Sequence, residues 1–335
     1  MLRGIVFAGL LVGVLISYSA AENSFTRPFN DTADPSQDSV NTESDSLKSW
    51  RFNGKMDLSF NQIALSNWAE GGESTLAGIS YAKFRANYEK KKFKSDNYLN
   101  LAYGLNWSKE QGFRKTEDRI DFGFSAGHIA FRKWYYTSAL NLKTQFSEGY
   151  KYPDDSTLVS DFFAPANLYL SLGMEHQPNE YLSLFISPAS GKFVFVTDQT
   201  LADKGAYGVA PAVKDTAGNI IEEGSNLRAE FGVNFIFKFS KEILKNVDFD
   251  SKLNLYNNYM DEDPSNHWNI DIDWETAFNF RINSHMSSNL YVHLLYDHNT
   301  EIPTYEIIDG EKVEVGKGPK LQIKENFGIG LSIKV

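Results

Sequence analysis

The chain has 335 residues, 42% of them hydrophobic and 23% charged, with a formal charge of −10 and no cysteine. That charge argues against a nucleic-acid partner, whose binding rests on Lys and Arg neutralising phosphate. The lack of cysteine removes disulfides and thiolate metal sites. No run of 18 apolar residues follows the first stretch, which excludes a multi-pass helical membrane protein. Aromatic residues reach 14% while mean hydropathy is −0.38, a combination that suits strands with one apolar and one polar face.

Met1-Leu2-Arg3 is a basic start, Gly4 to Ile16 is apolar, and small residues surround Ala20-Ala21. Residues 1–21 therefore read as a secretory signal peptide cleaved before Glu22. Residues 22–49 are rich in Ser, Thr, Asp and Asn, carry Pro28 and Pro35, and lack apolar periodicity, the composition of a disordered periplasmic tail. Three tripeptides there, Asp31-Thr32-Ala33, Asp38-Ser39-Val40 and Asp45-Ser46-Leu47, resemble the Asp-Ser/Thr-apolar O-glycosylation signal of Bacteroidota. A plain polar linker generates the same tripeptides.

From Trp50 to Val335 the dominant period is two, the signature of strands with one apolar face. The first segment alternates Phe52, Met56, Leu58 and Phe60 with Arg51, Asn53, Lys55 and Asp57. The second carries Ala82, Phe84, Ala86 and Tyr88, the third Leu99 to Trp107, the fourth Ile120 to Ala126 and the fifth Tyr136 to Phe146. Leu168 to Met174 and Leu182 to Ile186 follow, then the clearest run, Leu227 to Phe239. The last four are Val247 to Leu255, Trp268 to Ile282, Leu290 to Tyr296 and Leu321 to Val335. About twelve segments result, each near the ~9–11 residues that cross a bilayer when tilted.

The links between them alternate in length. Short links fall at Lys90–Ser95, Phe131–Lys133, His176–Glu180, Ser240–Lys245 and Asn283–His285. Long ones fall near Asn67–Glu73, Lys109–Glu117, Glu148–Phe163, Pro188–Gly224, Met260–Asn266 and Thr300–Gly318. This pattern predicts an all-β chain, a transmembrane antiparallel up-and-down β-barrel of about 12 strands with long extracellular loops and short periplasmic turns. An even strand number places both termini in the periplasm. Trp50, Trp107, Trp134 and Trp268 near strand ends fit aromatic girdles. The expected surroundings are outer-membrane lipid and lipopolysaccharide, with the barrel-assembly machinery engaged during biogenesis.

The loop stretch Ser66-Asn67-Trp68-Ala69-Glu70-Gly71-Gly72-Glu73-Ser74 looks like a family hallmark, as do Phe163-Ala164-Pro165-Ala166-Asn167-Leu168, Tyr181 to Pro188 and Leu201 to Gly208. Together they resemble an uncharacterised family of Bacteroidota outer-membrane barrels, a domain of unknown function. The resemblance spans most of residues 50–335. It implies location and architecture, with Asn67, Trp68, Glu70, Gly71 and Gly72 as a surface-loop motif, and implies no catalytic residue or cofactor.

If the apolar parity faces lipid, the other lines the lumen. Asp271, Asp273 and Glu275 then form an acidic row, joined by Asp248 and Asp250 on the preceding strand. Arg51, Lys55, Lys83, Arg85, Lys324 and Lys334 make a basic wall on strands that become contiguous after closure. Segregated walls suit a narrow channel that selects polar or charged solutes. The same charges suit an internal ion-pair network that fills the lumen. A tight turn at Asn283–His285 would set Glu275 opposite His293, both on the lumen parity, where a carboxylate stabilises imidazolium.

Phe193-Val194-Phe195-Val196, within the long link after Pro188, suits either a plug in the lumen or a small external hairpin. His267 and His298, near Asp261, Asp263 and Asp297, are spaced for a rim cluster of acid and imidazole groups. Such a cluster could activate water or hold a divalent ion, and a solvated acidic loop explains it equally. Three roles are compatible with the sequence: a narrow channel for small polar solutes, a non-conducting barrel anchoring an envelope partner, and a surface hydrolase using the rim cluster.

Overall fold

The computed structural model describes residues 49–64, 74–261, 263–308 and 311–334. Residues 1–48, hence the expected signal peptide and nearly all of the tail, fall outside the described residues, as do Asn67, Trp68, Glu70, Gly71 and Gly72.

Twelve strands close a single antiparallel ring. They are β1 (Trp50–Ile63), β2 (Thr75–Lys90), β3 (Phe93–Ser108), β4 (Gly112–Phe131), β5 (Trp134–Thr144), β8 (Ala166–Asn179), β9 (Leu182–Phe195), β12 (Leu227–Leu244), β13 (Val247–Asn257), β14 (Asp271–Arg281), β15 (Met286–Tyr296) and β18 (Gln322–Lys334). Each pairs with its sequence neighbours among the ring strands, and β1 closes on β18 through Lys55↔Lys334 to Ser59↔Gly330. Three small hairpins decorate the long links: β6 (Gly149–Tyr150) with β7 (Leu158–Ser160), β10 (Val213–Lys214) with β11 (Ile220–Glu222), and β16 (Glu301–Ile308) with β17 (Glu311–Pro319).

The period-two pattern carries through to the faces. Phe52, Leu58, Phe60, Phe122, Phe124, Leu172, Ile323 and Phe327 are exposed on the outside, whereas Asp57, Asp121, Glu175, Lys192 and Asn234 are buried inside. A soluble barrel would invert this order.

Three expectations are corrected. The link at Lys109–Glu117 is short, because β3 and β4 keep pairing to Ser108↔Gly112 and leave only residues 109–111 between them. Gly112, at φ 66°, takes the left-handed backbone of that tight turn. Trp268 and Ile270 precede β14, with Trp268 in a 3-10 turn, Pro264–Trp268, outside the sheet. Finally, β9 does not stop at Pro188. The ladder places Gly232 beside Ser190 and Asn234 beside Ser187, so two residues of β9 face one of β12. This bulge absorbs the proline, which has no N–H for the ladder. Phe193-Val194-Phe195 is consequently barrel wall, paired with Leu227 to Ala229, and is neither plug nor hairpin. Across the bulge, an added Cβ on Gly173 would lie 2.1 Å from the Ile186 carbonyl oxygen, so only glycine fits there.

The link after β9 still covers the long-loop end. Its helical turn Gln199–Asp203 brings Leu201 and Ala202 onto Val194 and Val196, with Ala164 and Val209 completing a buried apolar cluster.

Phe237 pairs with Leu184 and Leu253 on the outward face. Phe237→Arg should cost about 2–4 kcal/mol of folding stability in bilayers. Asn87→Arg, lining the lumen near the short turns, should cost far less. Denaturant titration of both variants in liposomes measures this, and equal losses would contradict the facing. Asn234 also faces inward, yet it is 1% exposed and packed against Ser171, so an Arg there would be overpacked.

Candidate functional site

In a ring of twelve, strands six steps apart face each other across the lumen. β4 therefore faces β14, and β2 faces β12. This geometry brings together residues more than a hundred positions apart in sequence.

At mid-height, Lys143 of β5 donates to Asp273 at 2.5 Å and also to Glu275, both on β14. Arg119 of β4 reaches Glu275 at 3.0 Å and bonds Tyr291. Tyr291 itself donates to Glu275 at 2.9 Å, and the Arg119 guanidinium lies 4.7 Å from its ring centroid. Glu275 and His293 are direct register partners, but His293 Nε2 bonds Asp273 Oδ1 at 2.9 Å. Asp273, Glu275 and His293 are close enough to share a cation. The Lys143 ammonium already occupies that role for both carboxylates.

Nearer the long loops a second layer forms. Lys192 of β9, 1% exposed, donates to Asp271 at 2.6 Å and to Asp297 at 2.8 Å. Arg228 of β12 holds Asp297 at 3.2 Å and Glu230 at 3.3 Å. The capping loop lies directly on this layer. Gly208, at φ 77°, is so close that a Cβ would meet the Arg228 guanidinium at 2.6 Å and the Asn299 carbonyl oxygen at 2.7 Å.

The remaining charges take their own partners. Lys324 spans to Glu117 at 2.8 Å, Lys55 bonds Asp57 at 3.2 Å, and Arg51 meets Glu89 at the exposed short-turn rim. Asp248 sits 3.5 Å from Arg281 at the same rim, and Asp250 accepts from Ser240. Lys334 pairs in register with Lys55, and its side chain is not described. Much of the expected acidic and basic walls is thus supplied with counterions, whereas Lys83 and Arg85 of the basic wall form no ion pair among the described residues. Sequence reasoning missed Arg119, Lys143, Lys192, Arg228 and Lys252. Four of them lie on the polar parity of their strands, so alternation together with ring opposition carried the signal, whereas Lys192 shares the parity of Leu182, Leu184 and Ile186 and turns inward only because the bulge at Pro188 shifts the register of β9.

Below these layers, toward the short turns, the lumen opens into a cavity of about 290 Å3. Asp57, Tyr81, Lys83, Arg85, Tyr98 and Lys238 are among its lining residues, and it reaches Glu180 and Tyr181 in the β8–β9 turn. Lys83 and Arg85 project from β2 and Lys238 from the facing β12.

The rim histidines do not form an acid–imidazole pair. His267 Nε2 is bonded to the backbone oxygen of Asp261 at 2.8 Å, and His298 Nδ1 lies 3.5 Å from the Tyr296 hydroxyl.

A family described as "Protein of unknown function (DUF3078)" matches residues 60–150. Among curated proteins none matches the chain. Among solved structures it is similar to an outer-membrane channel from Pseudomonas putida F1, with 10% identity and a TM-score of 0.35, covering 89% of this chain and 99% of that one. It is also similar to the NanC porin, at 8% identity and a TM-score of 0.33, covering 83% and 98%. Outer membrane phospholipase A from Escherichia coli is similar at 10% identity and a TM-score of 0.31, covering 84% and 95%.

Asp297, just beyond β15, is held down to about 2, from an ordinary value of 3.8, by Lys192 and Arg228 against the opposing effect of burial. A carboxylate with a depressed folded value stabilises fully above its unfolded value and loses that contribution as pH falls through the folded one. Wild type and Asp297→Asn should therefore differ in unfolding free energy at neutral pH and converge as pH falls from about 4 to about 2. A gap that persists undiminished at the acid end would mean that the charge of Asp297 is not its cause.

Proposed function

We propose that this chain is an integral outer-membrane barrel that admits small polar solutes to its lumen and whose through-passage is closed in the conformation described here. The exposed apolar band supports the membrane assignment, because a closed ring leaves no strand edge unpaired in lipid. One observation carries the closure: Arg119 and Lys143, from one wall, meet Asp273 and Glu275 on the opposite wall. With the Lys192 layer and the capping loop above them, the cavity of about 290 Å3 opens on the short-turn side of the pairs. Passage then requires these ion pairs to separate, which makes the barrel a gated channel and not a permanently open pore. The rim geometry does not favour a hydrolase.

In planar bilayers the wild-type protein should be mostly silent, with rare openings. The double variant Asp273→Asn/Glu275→Gln should raise open time at least tenfold. Steady wild-type conductance would refute the closure. A double variant as silent as wild type would refute passage.

We infer that the short-turn rim, with both termini, faces the periplasm. An epitope placed after Gly72 should then be labelled on intact cells, and labelling that requires outer-membrane rupture would reverse the orientation.

A further inference from the structure

Two register pairs of lysines stand directly opposite each other at the cavity, Lys55↔Lys83 on β1 and β2, and Lys238↔Lys252 on β12 and β13, and Lys55 also pairs in register with Lys334 on β18. Like charges in such positions destabilise a sheet. In each pair one member is compensated. Lys55 has Asp57 at 3.2 Å, and Lys252 has Asp121 at 3.9 Å and the Tyr98 hydroxyl at 2.7 Å. Lys83 and Lys238 have no carboxylate within 4 Å among the described residues, and neither has Arg85 at the cavity mouth. All three line the same cavity, from facing walls.

None of that cavity's carboxylates forms an ion pair with these three cations among the described residues. Asp57, Asp121, Glu175 and Glu275 are engaged by Lys55, Lys252, Lys94 and the Arg119–Lys143 pair. Asp250, which accepts from the neutral Ser240 hydroxyl, Asp96, one diagonal step from Arg85 along the β2–β3 ladder, and the exposed Glu180 line the same cavity at more than ion-pair distance from the three cations. At mid-height, charges are paired across the ring, as Arg119 with Glu275 and Lys143 with Asp273. Here three cations without an ion pair line one cavity from facing walls, two of them in register with another lysine.

We propose that this cavity binds a small soluble oxyanion, a carboxylate, phosphate or sulfate carried on a polar body. Lys83 and Lys238 close on the anionic group from opposite sides and Arg85 guides it through the mouth. Arg and Lys are the natural partners of such groups, Arg through its planar fork. The tyrosine-bearing walls offer flat ring surfaces to the polar body, and a volume of about 290 Å3 is near the lower bound of ordinary small-ligand sites. The inference rests on the proposal that the lumen admits a solute, and names the class of that solute.

The test is calorimetric titration of the full chain, folded in detergent, with glucose 6-phosphate and with glucose. The phosphate ester should bind saturably and the neutral sugar should not. Lys83→Gln and Lys238→Gln should each weaken binding at least tenfold, while raising the thermal midpoint through relief of repulsion. Arg85→Gln, at the exposed mouth, should fold as wild type and bind more weakly. Equal binding of both sugars, absence of saturable binding, or unchanged affinity in folded variants would overturn the proposal. None of these outcomes involves a bilayer or an opening event, so a failure here is distinct from a failure of the conductance experiment.

Discussion

Lipid offers no hydrogen-bond partner to a backbone N–H or C=O, and this constraint organises the whole molecule. It forces the sheet to close β18 onto β1, and closure in turn assigns every residue of every strand to one of two environments. The outward set must be apolar. The inward set then collects most of the barrel's charge in a space only a few side chains wide. Charges confined at that density have to neutralise one another, so the ion-pair layers follow from the ring as much as from any function.

A charge removed from water loses several kcal/mol of solvation, and attraction repays this only where geometry and extra hydrogen bonds are good. The two layers meet that condition by sharing. Lys192 serves two carboxylates closely, Lys143 serves two, and Glu275 accepts from Lys143, Arg119 and Tyr291. Against this background of mutual satisfaction, Lys83 and Lys238 stand out as the places where the lumen declines to compensate itself. That contrast, more than the presence of basic residues, distinguishes a candidate binding region from structural filling.

Strand number and facing were legible because alternation persists through nearly every strand and each apolar face is long. Legibility failed where local chemistry interrupts the period. Pro188 reads as a strand end, yet a bulge lets Ser187 and Ser190 both turn inward and share a hydrogen bond. Residues 109–117 read as a loop, yet cross-strand pairs such as Trp107↔Phe113 prolong the hairpin. The acidic row on β14 was visible as Asp271, Asp273 and Glu275. His293, across the next hairpin, was visible too, but the lysine and arginine partners were not, because they lie about 80 to 160 residues away and become neighbours only once the ring's circumference is known. Knowing that the fourth strand faces the tenth would have led from Glu275 to Arg119.

The bridges from β4 and β5 to β14 also change what kind of object the barrel is. An empty ring of strands is a hoop, and lateral pressure from the bilayer flattens a hoop easily into an oval. Struts across its width make it a braced wheel, stiff along the line of the struts and more compliant at right angles to it. The charge state of the lumen thereby bears on one mechanical coordinate, the distance between β4 and β14.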